Sequence, residues 1–513
     1  MGDLALVTGA TGYIGGRLVP RLLADGHRVR AMTRSAGRLR DVPWARSVEL
    51  VEADALEPAS LDAALAGVDV AYYLIHSIDT GKRFEQTDRR AAQVFADAAR
   101  RAGVRRIVYL GGLTPEGDLS PHLRSRAEVG QVLLDSGVPT AVLRAAVILG
   151  SGSASFEMMR YLTERLPAMV TPRWVRSRIQ PIAVRDVLRY LVECGRLPAE
   201  VNRAFDIGGP DVLTYAEMMQ RYAAVAGLRR RVILPLPVLT PGLSSHWVGV
   251  VTPVPAAIAK PLVQSLRHEV VCTEHDIARW IPDPPEGLLG FDAGVALALQ
   301  RVREAEVETR WSSAPWPDAP SDPLPSDPTW AGGTVYTDVR ESVVEADAED
   351  LWSVIEGIGG DNGWYSFPLA WETRGAIDRA VGGVGLRRGR RHPRELRAGE
   401  SVDFWRVEER APGELLRLRA EMRLPGEAWL ELRVRLEAGR VVYAQRAVFV
   451  PRGLAGHLYW WAVTPFHGTV FGQMVRRIGA EARRRTAARA EGAGPTRAEV
   501  SSPASRRASS ARR

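Results

Sequence analysis

The chain opens on a short apolar run, Leu4 to Val7, which breaks into a glycine-rich turn and resumes as an amphipathic pattern stopping at Asp25-Gly26. That order predicts a strand, a turn and a helix with a glycine at its C-terminus. The alternation then repeats. Arg28 to Arg34 reads as a second strand, Val48 to Asp54 as a third, Asp69 to Ser77 as a fourth, Arg106 to Leu110 as a fifth and Thr140 to Leu149 as a sixth. Helical patterns separate them. Phe84, Ala91, Phe95, Ala98 and Ala102 share one helical face before Gly103, and Ala127 to Asp135 is closed by Gly137. Strands that are continuous apolar runs, alternating with helices, predict a doubly wound parallel sheet covered on both faces.

The pattern changes beyond residue 310. Trp311 to Gly333 is rich in proline and small polar residues, which cannot form helix or sheet, and is expected to be an extended linker. After it, Val335 to Val344 predicts a strand and Ala348 to Ile355 a helix with Asp347 as N-cap. Ser401 to Glu409, Leu415 to Leu424, Ala428 to Leu436 and Val441 to Phe449 then alternate apolar and polar positions, as antiparallel strands do. A long helix within Leu454 to Arg489 closes the region. The expected organisation is therefore 1–310, an α/β Rossmann-type domain with an extended C-terminal substrate region; 311–333, the linker; 334–490, a separate α+β domain; and 491–513, a disordered basic tail.

At 513 residues the chain has room for about two to three domains. Its net charge of +8 is localised: from Arg476 to Arg513 eleven Arg oppose three Glu, and the remainder is neutral in sum. With no zinc-finger, helix-turn-helix or RNA-recognition signature, this argues against specific nucleic-acid binding. Cys194 and Cys272 lie far apart and in no metal or redox spacing. They read as small core residues in a reducing compartment, and no metal site is expected. A strand begins almost at the N-terminus, leaving no room for a signal peptide. Gly453 to Val475 lacks Asp, Glu, Lys and Arg, but Pro465, His457, His467 and several Gly mark it as buried or interfacial rather than a transmembrane span. A cytoplasmic protein is expected.

Candidate chemistry concentrates at the first turn. Thr8-Gly9-Ala10-Thr11-Gly12-Tyr13-Ile14-Gly15 lies between strand and helix, the context in which a glycine triplet marks a dinucleotide site. Gly9 permits the tight turn, Gly12 lets backbone N–H groups approach a pyrophosphate, and Gly15 lets helix and strand pack closely. The helix N-terminus adds its dipole and free N–H donors. At the end of strand two stands Thr33-Arg34-Ser35, where NAD-binding folds place an acid for the ribose 2′-OH, and no acid follows before Asp41. A carboxylate repels a 2′-phosphate, whereas Arg34 pairs with one and stacks on adenine, so NADP(H) is favoured over NAD(H). Asp54 and Ala55 end strand three at the adenine edge. Leu74, Ile75 and His76 end strand four beside the ribose and nicotinamide.

TGATGYIG, the acid after strand three and RIVYLGGL in strand five resemble the short-chain dehydrogenase/reductase superfamily, and more closely its atypical, NmrA-like branch. The likeness spans about Met1 to Arg303. It includes QPIAVRDVLRYLV (Gln180 to Val192) and FDIGGPDVLTYAEMM (Phe205 to Met219), which resemble the superfamily's substrate-binding region. The resemblance implies an oxidoreductase, and the second domain would bind or present a small apolar substrate for it. It also exposes a departure. Dehydrogenases of this superfamily use a Ser at the end of strand five and a Tyr-x-x-x-Lys pair on the next helix. Here the positions read Gly111-Gly112 and Ser120-Pro121-His122-Leu123-Arg124-Ser125-Arg126. His76 is the catalytic candidate in their place. Ser77, His122, Ser125, Arg126, Arg144, Glu157 and the turn Gly150 to Ser153, expected to meet a ligand through its backbone, lie near it in the expected fold.

Two readings stay open: an oxidoreductase with other proton donors, or a non-catalytic NADP(H)-binding sensor or scaffold. A nucleotide-sugar- or ketide-modifying enzyme would share the same cofactor site. The second domain is similar in element order to the START/polyketide-cyclase-like helix-grip fold, and to the domain of unknown function behind NmrA-like domains in some bacterial proteins. Such folds clasp apolar ligands between sheet and helix. Most of its aromatics, among them Trp364, Tyr365, Phe367, Trp371, Phe404, Trp405, Trp429, Tyr459, Trp460 and Trp461, are expected in the core.

Overall fold

The computed structural model describes residues 2–39, 42–76, 84–115, 117, 119–236, 251–252, 254–265, 267–306, 334–366, 392 and 395–492. The expected linker 311–333 and the tail from 493 onward lie outside the described residues, as do Ser77, Phe367 and Trp371. The chain divides into two compact units, Met1–Val335 with Val450–His457, and Tyr336–Phe449 with Leu458–Arg513.

The first unit is built on strands β1 (Leu4–Val7), β2 (Arg28–Thr33), β3 (Glu49–Glu52), β4 (Val70–Tyr73), β5 (Arg106–Gly112), β6 (Thr140–Ala145) and β7 (Arg203–Ile207). They form one seven-stranded sheet in the order β7-β6-β5-β4-β1-β2-β3. Every neighbouring pair is parallel. This is the Rossmann-like order, which reverses direction between β1 and β4.

Helices α1 (Tyr13–Ala24), α2 (Pro58–Leu65), α3 (Phe84–Arg101), α4 (Pro121–Leu134), α5 (Ala154–Arg165) and α6 (Val184–Cys194) follow. Successive strand residues point to opposite faces, which is why both faces are apolar. Ala5 and Val7 share a core with Leu18 and Leu22 of α1 and Val187 and Leu191 of α6. Leu4 and Leu6 share the opposite core with Leu61 of α2, Phe95 of α3 and Leu133 of α4. A third core joins Phe156 and Leu162 of α5 to Met218 and Tyr222 of α7 (Tyr215–Val225), Val263 of α8 (Ala256–Ser265) and Val295 of α9 (Phe291–Glu306).

Several boundaries differ from the sequence expectation. β4 stops at Tyr73, so Leu74 to His76 leave the sheet. The sixth strand is split: β6 ends at Ala145, and Ile148–Leu149 pairs instead with Ile182–Ala183. The helix expected from Ala127 starts at Pro121, with Ser120 as its N-cap accepting from the Leu123 N–H. Ser followed by Pro at the first helical position is a start signal with a physical cause, because proline lacks an N–H where the helix has no use for one.

The second unit contains β8 (Tyr336–Val344), α10 (Ala348–Glu356), β9 (Ser401–Val402), β10 (Trp405–Ala411), β11 (Leu415–Ala420), β12 (Gly426–Glu437), β13 (Arg440–Pro451) as far as Phe449, and the long helix α11 (Gly453–Gly492) from Leu458 onward. Its sheet runs β8-β13-β12-β11-β10-β9. The first strand closes antiparallel on the last, Tyr336 opposite Phe449 and Val344 opposite Val441. The strand expected over 401–409 is broken at Asp403, which has φ +53°. Its carboxylate accepts from Trp364 Nε1 at 2.8 Å and from the Gly360 N–H at 3.1 Å. Trp364, Phe404 and Trp405 are buried in one core with Phe471, Met474 and Ile478 of α11. Among the described residues no helix is long and apolar enough to cross a membrane.

Candidate functional site

Ligands of open parallel sheets bind outside the carboxyl ends of the strands where the order reverses. That place, between β1 and β4, is where the glycine loop lies. Gly9 has φ +64°, and a Cβ on it would meet Leu74 O at 2.7 Å. A Cβ on Gly15 would lie 2.3 Å from Gly9 O, so α1 sits too close to the turn for any side chain. Gly12 differs. Its backbone is extended, and a Cβ there would meet only Gly9 O, at 3.1 Å, within 4 Å. The N-terminus of α1 has no acidic residue in its first turn and no side-chain cap from Gly12, which leaves N–H donors and positive dipole for an anion. These features fit a dinucleotide pyrophosphate.

Thr8, which sequence reasoning left out, ties the loop to β4. Its buried hydroxyl donates to Tyr72 O at 3.0 Å and accepts from the Leu74 N–H at 2.9 Å. This fixes the point where β4 ends and Leu74 turns away. On the other side of β1, Thr33 Oγ1 accepts from the Ser35 N–H at 3.2 Å and donates to Ser35 O at 3.1 Å, a local turn that presents the exposed Arg34. Asp54 Oδ1 accepts from the Leu56 N–H at 2.9 Å and so shapes the turn after β3.

Together these segments line one cavity of about 630 Å³, inside the about 300–1,000 Å³ range of small-molecule sites. Its lining contains every residue expected to contact the cofactor: Gly9, Thr11, Gly12, Tyr13, Ile14 and Gly15 from the loop, Arg34, Asp54 and Ala55, and Leu74, Ile75 and His76. Met32, Thr87, Leu110 and Arg126 join it from β2, α3, β5 and α4.

At the β4–β5 side of the cavity the polar groups form a cluster. His76 Nδ1 lies 3.5 Å from Asp88 Oδ2, and Ser125 Oγ donates to the same carboxylate oxygen at 3.1 Å. The His76 ring stacks on that of His122, centroids 5.0 Å apart. His122 is buried, and burial first, then the charges of Arg126 and His76, hold its imidazole well below the ordinary range against the opposing pull of Asp88. It is therefore neutral near pH 7. Arg126 donates to Leu110 O, and Tyr109 Oη to Arg126 O, which anchors the guanidinium at the end of β5. Helix α4 carries neither Tyr nor Lys.

Other expected contributors are employed elsewhere. Arg144 pairs with the buried Asp206 at 2.7 Å, and Asp206 also accepts from the Thr273 N–H and hydroxyl at 2.9 Å each. Glu157 is fully buried, ion-paired with Arg160, and accepts from the Gly152 N–H at 2.7 Å. The backbone of the glycine-serine turn thus serves a buried carboxylate, and the turn is absent from the lining of this cavity. Asp88 was the larger omission. It falls on the helical face defined by Phe84, Ala91 and Phe95, and a carboxylate in an otherwise apolar stripe was the signal available.

Fold and cavity define a dinucleotide-binding protein, and comparison with known proteins narrows that class. A family described as NAD(P)H-binding matches residues 9–146, and a family of proteins of unknown function (DUF2867) matches residues 330–474. A ceramide reductase of Caulobacter vibrioides is 32% identical over 251 residues, covering 47% of this chain and 77% of that protein. An NAD(P)H azoreductase of Xenophilus azovorans is 27% identical, covering 44% and 74%. Among solved structures, a Citrobacter sp. triphenylmethane reductase complexed with NADP(H) has 22% identity and a TM-score of 0.47, covering 58% of this chain and 100% of that one. The chain belongs to the family of the ceramide reductase, an NAD(P)H-binding, reductase-like family.

Proposed function

We propose that the first unit is an NADP(H)-dependent reductase of a small apolar substrate, with His76 as the proton donor and Asp88 as the residue that orients it. The observation that carries this reading is the His76–Asp88 pair at one side of the same cavity that the glycine loop and Arg34 line at the other. Arg34 follows β2 and His76 follows β4, on opposite sides of β1, so a dinucleotide laid across the strand ends reaches both. The loop and the N-terminus of α1 hold the pyrophosphate, and Arg34 the 2′-phosphate. The reduced nicotinamide supplies a hydride when bound.

What remains for the protein is the proton. Asp88, held by Ser125, lies 3.5 Å from His76 Nδ1; the Nε2 proton of the His76 imidazolium goes to the substrate atom that gains the electron pair, and the ring is left neutral with its remaining proton on Nδ1, facing Asp88. The neutral His122 packs against the ring and adds no competing charge. This division of labour replaces the Tyr and Lys that α4 lacks. Relatives named as reductases of unlike substrates, a ceramide and azo compounds, support reduction in general and no one substrate. For the second unit we propose the START-like helix-grip fold as a holder of an apolar ligand, because a strand, a helix, an antiparallel meander and a long closing helix follow in that order.

The test joins binding and turnover. Calorimetry is expected to show tighter binding of NADPH than of NADH, with the preference reduced about tenfold or more in Arg34→Ala, the worth of a charge-assisted hydrogen bond. NADPH oxidation is then followed with quinones, enones and aldehydes. His76→Ala should abolish turnover while lowering NADPH affinity far less than Arg34→Ala does, and Asp88→Asn should lower kcat and shift its pH profile. Equal affinity for the two cofactors removes the role of Arg34, and full turnover in His76→Ala removes that of His76.

A further inference from the structure

The closing helix α11 has two faces of opposite character. One packs: the Trp460 ring stacks on Tyr336 and Phe449, with centroids 4.9 and 5.9 Å away, and Met474, Ile478 and Ala482 enter the core farther along. The other face turns outward. Leu458, Trp461, Ala462, Pro465 and Phe466 recur at helical spacing and are all exposed, Leu458 by 61%, Trp461 by 68% and Phe466 by 67%. A lone exposed Leu is ordinary, but a stripe of Leu, Trp and Phe along one helix is not. No Asp, Glu, Lys or Arg occurs from Gly453 to Val475 to keep this stretch in water. Farther along the same face the exposed residues become Arg476, Ala480, Arg483 and Ala487. The chain's whole positive excess begins at Arg476.

We propose that this face of α11 lies on the surface of an anionic lipid bilayer. Leu458, Trp461 and Phe466 enter the boundary between headgroups and acyl chains, and Arg476 and Arg483 meet the lipid phosphates. Charge complementarity selects this occupant. A second copy packed in parallel would set Arg476 and Arg483 against their own kind, and one packed antiparallel would set them against the apolar stripe. An anionic bilayer instead offers apolar depth and diffuse negative charge side by side, the pairing an interfacial amphipathic helix requires. Trp461 suits that boundary because an indole has both an apolar body and a polar N–H. The helix rests on the bilayer and does not traverse it.

The test is flotation of the full-length protein with vesicles of phosphatidylcholine alone, or with about one-third phosphatidylglycerol, at low and high salt. The wild type is expected to float with the anionic vesicles at least about tenfold more than with the neutral ones, and less as salt rises. Leu458→Ser combined with Trp461→Ser and Phe466→Ser should abolish flotation with circular dichroism and Tm unchanged, since these side chains are exposed. Arg476→Gln with Arg483→Gln should reduce the preference for anionic vesicles, an arm that does not depend on the apolar variant folding. Wild type that stays with neither vesicle, or a triple variant that floats like wild type, overturns the proposal. So does a wild-type dimer in sedimentation that the triple variant converts to monomer, which would assign the face to self-association.

Discussion

At the scale of single residues, the cluster around His76 sets a pH dependence whose sign is fixed by burial. Folding holds His122 below its ordinary range, so below about pH 6.5 the unfolded chain binds the proton that the folded chain refuses. Stability contributed by this site is complete above that pH and falls as the solution is acidified. Chemical denaturation between about pH 7 and pH 5 is expected to show a larger loss for wild type than for His122→Gln. Parallel curves would mean that the imidazole titrates as freely in the fold as in the unfolded chain. Such side-chain facts were the least legible in the sequence. His76 could be placed from its position at a strand end, but its partner Asp88 comes from a helix that offers two other carboxylates, Glu85 and Asp97. Only its place in the apolar stripe set it apart.

At the scale of elements, the opening unit of strand, turn and helix separates binding from folding within one loop. A Cβ on the extended Gly12 meets only Gly9 O, at 3.1 Å, whereas one on Gly15 would lie 2.3 Å from the same oxygen. Gly12→Val is therefore expected to abolish NADPH binding with little change in Tm, since the new side chain enters the cavity. Gly15→Ala should instead destabilise the fold by about 1–3 kcal/mol, as overpacking does, because the Gly9 carbonyl cannot move without opening the turn. Thermal melts with and without NADPH read both effects, and a Gly12→Val protein that still binds would remove the loop as the cradle.

This loop was the most legible part of the chain, because its three glycines have three separate steric causes that spacing alone reveals. The parallel sheet was legible too, since strands buried on both faces leave continuous apolar runs. Element ends were not. β4 stops at Tyr73 although Leu74 and Ile75 remain apolar, because Thr8, distant in sequence, claims the Leu74 N–H. The strand expected from Ser401 breaks at Asp403 for a similar reason, its carboxylate being held by the Trp364 indole.

At the scale of the whole molecule, the cofactor cavity is lined by residues of the first unit alone. A ligand stabilises what it binds and nothing else, by an amount set by its concentration over its Kd. Calorimetric unfolding is accordingly expected to resolve two transitions, with saturating NADPH raising one by several degrees and leaving the other in place. A single transition that moves as a whole would show the units to be energetically coupled. The order of strands in the second unit bears on how the protein is made. β8 emerges first but closes on β13, the last strand, with the entire meander between them. Until Phe449 has been synthesised, that strand presents unpaired backbone on both of its edges. During translation, the hazard of misassociation is thus greatest in the second unit and lessens when β13 arrives to pair one edge of β8.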